Sequence, residues 1–334
     1  MENHSNNNNL AISVQNLTKR FPHITAVDNI SFNVKRGEIF GFLGPNGAGK
    51  TTTINILCTL MPPTKGTVLV NNFDIIKQPL AVRKSIGIVF QETTLDNHLT
   101  VDENLYLHAK LYGLNKNQYR RQAYPALKLL DIENIRTKTI SQLSGGTKRR
   151  VEMARVFIHQ PQILFLDEPT VGLDAQTKNK IWDYLLKMRK EFGTTIFLTT
   201  QYINEAEICD RIAIIDYGEI ITCDSPENLK KIITNDIIQI RTRNNELALQ
   251  EIKQHFPDLI IKQLGKNINI EVENGETILP RILEIITTQI ISINLKKPSL
   301  EDVFLELTGR KIREYSKDSN GEAQNKVIKI KHEH

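Results

Sequence analysis

Residues 44–51 read Gly-Pro-Asn-Gly-Ala-Gly-Lys-Thr, which fits the spacing G-x-x-x-x-G-K-[ST]. Glycines at 44, 47 and 49 leave the main chain free to curl until successive N–H groups converge on an anionic oxygen. Lys50 adds a cation able to reach the β- and γ-phosphates of a nucleotide, and the Thr51 hydroxyl offers a hard oxygen to magnesium. A strand is predicted over 38–43 and a helix from 51 to about 60, stopped by Pro62 and Pro63. The helix would turn its positive end toward the same anion. The expected phosphate contacts are therefore Gly44, Pro45, Asn46, Gly47, Ala48, Gly49, Lys50, Thr51 and Thr52. A second pattern, Ile-Leu-Phe-Leu-Asp-Glu at 163–168, is an apolar strand that delivers two carboxylates at its C-terminal end. Asp167 is expected to hold magnesium, directly or through water, and Glu168 to take a proton from an attacking water.

The elements that must carry these residues follow from periodicity. Short strands are predicted at 11–14, 30–34, 66–70 and 86–90. From about 95 to 140 the apolar residues Leu105, Leu111, Leu114, Ala126, Leu127, Leu129 and Leu130 take helical spacing, which predicts a helical insertion. Alternation then resumes: helix 145–158, strand 163–166, helix 175–191, strand 194–199, helix 203–208 and strand 211–215. Strands alternating with helices predict an α/β unit with a parallel sheet covered on both faces. A strand apolar on both faces, such as Ile-Leu-Phe-Leu, suits the centre of that sheet. After Pro226 the order is strand 237–241, helix 246–255, strands 260–264 and 268–272, helix 277–286 and strand 291–295. That βαββαβ order predicts a small ferredoxin-like α+β unit, closed by a helix over 299–308.

The chain of 334 residues has room for two domains. The expected division is a leader at 1–9, a nucleotide unit at 10–230, a second unit at 236–309 and a polar tail at 310–334. A hydrophobic content of 40% and a charged content of 24% exclude collagen and wholesale disorder. The charge balance of 43 − 38 = +5 is too small for a dedicated nucleic-acid binder, and the last 24 residues supply +2 of it. No apolar run approaches the ~20 residues that cross a bilayer, and the Asn-rich start lacks a signal-peptide core. Cys58, Cys209 and Cys223 have neither even number nor C-x-x-C spacing, which points to a reducing compartment. His332 and His334 read as solvated residues of the tail.

A third pattern, Leu-Ser-Gly-Gly-Thr at 143–147, starts a helix between the helical insertion and the acidic strand, with Ser144 as N-cap. This stretch resembles the signature of ABC-type ATPases, and the resemblance covers about residues 10–230 with its parts in order. It implies an α/β P-loop NTPase fold with an antiparallel β subdomain and a helical subdomain. Phe21, 23 residues before Gly44, falls where the family stacks the adenine of ATP. Gln91 resembles the glutamine that touches magnesium and senses the γ-phosphate, Asp174 lies in the D-loop, and Gln201 takes the switch position. Ser144, Gly145 and Gly146 match the residues that contact the ATP of a second copy, which implies a head-to-tail homodimer using ATP and Mg2+. A separate integral-membrane permease would be its partner, on the cytoplasmic face of the membrane. Residues 298–309, Pro-Ser-Leu-Glu-Asp-Val-Phe-Leu-Glu-Leu-Thr-Gly, with Thr-Thr-Gln-Tyr at 199–202, resemble the daunorubicin-resistance branch of drug exporters. Three departures stand out: Gln201 replaces the usual histidine, Thr147 the usual glutamine, and Phe21 the usual tyrosine. The alternative is a soluble ABC ATPase acting on ribosomes or nucleic acid, but such proteins usually carry two phosphate loops or a long coiled coil.

Overall fold

The computed structural model describes residues 9–233 and 235–309. The expected leader (Asn9 apart) and polar tail, with His332 and His334, lie outside the described residues. The chain opens with β1 (Leu10–Phe21), β2 (Ile24–Lys35), β3 (Ile39–Leu43), α1 (Lys50–Leu57), β4 (Lys65–Val70), β5 (Phe73–Asp74), α2 (Pro79–Ser85) and β6 (Ile86–Val89). Three helices follow: α3 (Val101–Leu111), α4 (Lys116–Leu129) and α5 (Gly145–Phe157). The nucleotide unit continues through β7 (Ile163–Asp167), α6 (Ala175–Phe192), β8 (Thr195–Thr200), α7 (Ile203–Ala206), β9 (Arg211–Asp216), β10 (Glu219–Asp224) and α8 (Pro226–Lys230).

The central sheet runs β10-β9-β3-β8-β7-β6, parallel except for the antiparallel edge strand β10. Alternation along its strands divides the core in two. Ile39 and Leu43 of β3, Leu164 and Leu166 of β7, and Ile196 and Leu198 of β8 face α3–α6. Phe40, Phe42, Phe165 and Phe197 face the other way; Phe40, Phe42 and Phe197 meet Phe32 of β2, which stacks on Phe40 at 5.5 Å between ring centroids, and Phe165 meets Phe197. That second face is covered by an antiparallel sheet in the order β2-β1-β4-β5. Such stacked rings bury large areas and gain from their geometry as well.

Helices α3 and α4 form the helical insertion. Each begins with a reciprocal capping box, Thr100 with Glu103 and Asn115 with Gln118. Their inner residues Leu105, Ala109, Tyr119, Ala123 and Leu127 are buried.

Several elements exceed the sequence expectation. β1 and β2 each run for 12 residues, where short strands were predicted. Polar Asn16 and Asn29 break the alternation, yet the strands continue through them at φ of 50° with register shifts and an Asn16 Nδ2 to Asn29 Oδ1 hydrogen bond of 3.1 Å. α2 and β10 carry too few apolar residues to be legible alone and form because the sheet edge and β4–β6 give them a partner.

The second unit is β11 (Asp236–Thr242), α9 (Asn245–His255), β12 (Ile260–Leu264), β13 (Asn267–Val272), α10 (Gly275–Ile285) and β14 (Ile290–Lys296), followed by α11 (Leu300–Thr308). Its sheet order, β12-β13-β11-β14 and wholly antiparallel, is the ferredoxin-like arrangement. Its own core is small and Ile-rich: Ile238, Ile240, Ile252, Ile268, Ile270 and Ile282. The helix expected to close this unit packs elsewhere. Leu300, Val303 and Phe304 of α11 enter the core of the nucleotide unit beside Leu229 of α8. The physical reason is supply: α11 has a strongly apolar face, and the small unit's sheet is already covered by α9 and α10. A Phe304→Ala variant should lose about 3–5 kcal/mol, as for a buried Phe, and thermal unfolding would record it as a lower midpoint of the nucleotide unit.

Candidate active site

Three neighbouring parallel strands end at one level. Leu43 of β3 pairs with Thr200 of β8, and Asp167 of β7 pairs with Thr199. The phosphate-loop glycine, the two carboxylates and Gln201 therefore emerge together at the C-terminal edge, where ligands of doubly wound sheets bind.

The loop 44–49 is held on all sides. The Gly44 N–H donates to the Thr200 carbonyl at 3.2 Å, and the Ala48 carbonyl accepts from the Gly218 N–H at 3.1 Å. Only glycine fits at two of its positions. A Cβ on Gly44 would lie 2.3 Å from the Ile215 carbonyl oxygen, and Gly49, at φ +103°, would meet the Ala26 oxygen at 2.4 Å. Gly49 caps α1, so the loop's N–H groups and the helix terminus face the same way.

Lys50 is buried with all three donors engaged: Gly44 O at 2.9 Å, Pro45 O at 3.0 Å and Glu168 Oε1 at 3.3 Å. Burial pulls its ammonium below the usual lysine range, and the charges of Glu168 and Asp167 oppose that pull. Asp167 Oδ1 accepts from Thr199 Oγ1 at 2.5 Å and from Thr51 Oγ1 at 3.4 Å. Glu168 sits at φ +45°, a left-handed conformation rare outside glycine, with its N–H bonded to Thr199 O at 3.1 Å. That turn directs its carboxylate back to Lys50 instead of along the strand.

The remaining expected residues lie on the rim. Gln201 is half-buried, Gln91 is exposed just beyond β6, and among the described residues neither side chain has a hydrogen-bond partner. Gln91 is thus not gathered with Thr51 and Asp167 by direct contact. Phe21 ends β1 with its ring half exposed and Lys19 Nζ 5.3 Å from its centroid. Ser144 caps α5, its Oγ accepting from the Thr147 N–H at 3.3 Å, and Ser144 and Gly145 face solvent. Pro45, Asn46, Gly47 and Thr52 lie along the loop and first turn of α1. Asp174 caps α6, accepting from the Thr177 N–H at 2.9 Å.

Two positioning groups were not legible beforehand. Thr199 reads as one more strand residue, yet its hydroxyl orients Asp167. Glu205 reads as a charged residue of a short helix, yet it is buried and accepts from Thr200 Oγ1 at 2.5 Å and from the Thr170 hydroxyl, so it ties the chain beside Gln201 to the turn after Glu168. Burial raises its carboxyl above the usual range, against the two hydroxyl bonds. Its position four residues past Gln201 was the available signal.

A family model described as ABC transporter matches residues 27–171, and one described as the C-terminal domain of DrrA1-3-like ATP-binding proteins matches residues 225–308. The linearmycin resistance ATP-binding protein LnrL of Bacillus subtilis (strain 168) is 36% identical over 311 residues, 91% of this chain and 100% of that protein. The chain belongs to the ABC-transporter ATP-binding proteins of the daunorubicin-resistance type. The daunorubicin/doxorubicin resistance ATP-binding protein DrrA of Streptomyces peucetius is 32% identical over 326 residues, covering 94% of this chain and 97% of that one. A dimeric ATP-binding cassette solved in a post-hydrolysis state with ADP and Pi superposes with a TM-score of 0.60 at 32% identity, over 64% of this chain and 98% of that chain. As an ABC ATPase, this chain binds and hydrolyses ATP.

Away from the catalytic edge of this ABC ATPase, α2 and the end of α3 frame a surface notch of about 780 Å³ lined by Leu80, Arg83, His108, Leu111, Tyr112 and His159. Leu80 is 70% exposed and Leu111 77%. His159 Nε2 lies 3.0 Å from the Ile86 carbonyl, and its Nδ1 lies 3.3 Å from His108 Nε2. With both rings neutral, His108 donates to His159 Nδ1 and His159 donates from Nε2 to the carbonyl. Burial, then the charges of His159 and Arg155, bring His108 down to about 3, and burial lowers His159 as well. An unfolded histidine takes its proton near pH ~6.5. The unfolded state therefore binds more protons below that pH, and stability falls as pH drops toward the folded value. Unfolding free energy should fall by about 1–2 kcal/mol for His108 alone between about pH 7 and about pH 5, read as a lower thermal midpoint, and His108→Gln should flatten the slope.

Proposed function

We propose that this chain powers a separate membrane permease of an exporter, as an ATP-driven head-to-tail homodimer at the cytoplasmic face of the membrane. The observation that carries the catalytic reading is the meeting of Lys50, Asp167 and Glu168 at one strand-end edge. The phosphate loop and α1 terminus receive the β- and γ-phosphates, and Phe21 stacks on the adenine. Phosphate oxygens compete with Glu168 for Lys50, which frees the carboxylate. Glu168 then takes a proton from water as the water oxygen attacks the γ-phosphorus; the bond to the ADP oxygen breaks and that oxygen carries the charge away. Gln201, an amide that neither gains nor loses a proton, holds water or phosphate in place. Ser144, Gly145 and Gly146 of one copy complete the site of the other, and Asp174 orders the loop between them.

Magnesium fits the donor set. Thr51 and Asp167 offer hard oxygens, and among the described residues no cluster of three His, Cys, Asp or Glu forms an all-protein cage. Waters and phosphate oxygens would complete the shell of an ion held by Thr51 and Asp167, and Gln91 would offer a further oxygen. When bound, it would neutralise charge on the transferring phosphoryl group.

Among the described residues no helix is long and apolar enough to cross a membrane, which favours a separate permease. The notch between α2 and α3, with Leu80 and Leu111 exposed, is the surface we assign to it. Residues 10–230 act as the nucleotide unit, with 95–140 as its helical subdomain. Residues 236–309 have a regulatory or dimer-stabilising role. The ferredoxin-like sheet lacks the exposed aromatics that stack RNA bases, and no nucleic-acid partner is expected.

Glu168→Gln should slow turnover by about 10²–10⁴-fold, as for loss of a general base, while Gln201→His should stay within about tenfold of the parent. Phosphate release in steady state measures both. Acceleration of about a thousandfold by Gln201→His would overturn the division of labour between the two residues. Gentle solubilisation of native membranes should recover a polytopic protein at near one-to-one ratio with this chain; recovery of ribosomes instead would favour the soluble alternative.

A further inference from the structure

Helix α5, whose first turn carries Ser144, Gly145 and Gly146, projects three charged residues at i, i+3 and i+6 toward the catalytic edge. The first, Arg149, lies in the basic run Lys148-Arg149-Arg150, yet it is only 7% exposed. Its guanidinium donates to three main-chain carbonyls: Nε to Pro169 at 2.9 Å, Nη2 to Asp167 at 3.4 Å, and Nη1 to Phe90. These oxygens belong to the residues that flank Glu168 and to the residue before Gln91. β6 and β7 are parallel neighbours, so one planar fork spans both strand ends. A buried guanidinium needs a counter-charge. Glu152, 1% exposed, supplies it through Oε2 at 3.2 Å from Nη1.

The other oxygen of Glu152 reaches a different segment, where Oε1 accepts from the Thr94 N–H at 2.8 Å. Arg155 grips the same residue, donating to Thr94 O at 3.1 Å and to its hydroxyl at 2.5 Å. Residues 91–93 are thus an exposed arch fixed at both feet, Phe90 and Thr94, by one face of one helix. We propose that Glu152 is a positioning residue for ATP hydrolysis, acting through Arg149 and Thr94 to move the Gln91 arch, the strand end bearing Asp167 and Glu168, and the signature turn of α5 as one body. A shift of the arch on meeting phosphate would then be carried along α5, ~20 Å for its 13 residues, to a surface that serves the opposite site of the dimer.

The inference rests on the roles assigned above to Glu168 and Gln91, and the experiment separates the two. Steady-state kcat and ATP KM are measured on the full chain for Glu152→Gln, Arg149→Gln, the double variant, Thr94→Ala and, as a control, Glu168→Gln. Glu152→Gln keeps the side chain's size and should lower kcat by about 10-fold or more, in line with small misplacements of reacting groups. ATP KM should stay within about twofold, because the phosphate loop is untouched. The double variant should be no slower than the slower single, since both act through one contact set. Thr94→Ala, an exposed change that leaves the helix interior intact, should lower kcat by about threefold at unchanged KM. The inference is overturned by a Glu152→Gln kcat within about twofold of the parent, by additive losses in the double variant, or by kcat and KM moving together with a lost folded fraction. Should Glu152→Gln not fold, Glu152→Asp decides, since it keeps the charge but shortens the reach to the Thr94 N–H, and an unchanged kcat there overturns it. If Glu168→Gln itself keeps parental turnover, the catalytic assignment fails instead.

Discussion

Parallel pairing of β3, β8 and β7 is the constraint on which the catalytic edge depends. Each strand is apolar on both faces, so each can be buried only in the interior of a sheet covered on both sides. Once they are adjacent, the register sets the chemistry. With Leu43 level with Thr200 and Asp167 level with Thr199, the phosphate loop, the acidic pair and Gln201 have no other place to go. Shifting β7 by one residue would exchange Phe165 and Leu166 between the two cores and pull Asp167 away from Thr51.

Burial of charge follows from that crowding. Lys50 and Glu168 meet in a place with little water, 4% and 7% exposed, and the pair is held by main-chain oxygens as well as by mutual attraction. A pair built this way contributes little to stability relative to apolar residues of similar volume. Its worth lies in keeping a cation and a carboxylate ready for phosphate and water. The strained backbone at Glu168 has the same logic: an uncommon turn persists because Thr199 and Lys50 hold both sides of it. Arg149 and Glu205 are further buried charges at this edge, each engaged with hydroxyls or carbonyls next to reacting groups.

The two units are joined by α11. Its apolar face returns to α8 and places Phe304 in the nucleotide unit's core, so the ferredoxin-like unit is tethered at both Pro226–Lys230 and α11. A unit with so small a core of its own gains from that attachment, since burial scales poorly for a domain of this size.

The sequence alone carried the phosphate loop, the acidic strand end, the βαββαβ order and the signature turn, because each is a local pattern whose chemistry depends on residue type and spacing. It also carried the alternation that makes the sheet parallel. It could not carry Thr199 on Asp167, Glu205 beneath Gln201, or the inward turn of Arg149, since those contacts join residues whose separation in the chain says nothing about distance in space. Nor could it carry the length of β1 and β2, where Asn16 and Asn29 break the pattern that a strand ordinarily shows, or the direction in which α11 packs. Local patterns determine which groups are present; only closure of the sheet and its two cores decides which of them face one another, because that depends on long-range burial shared across the whole fold.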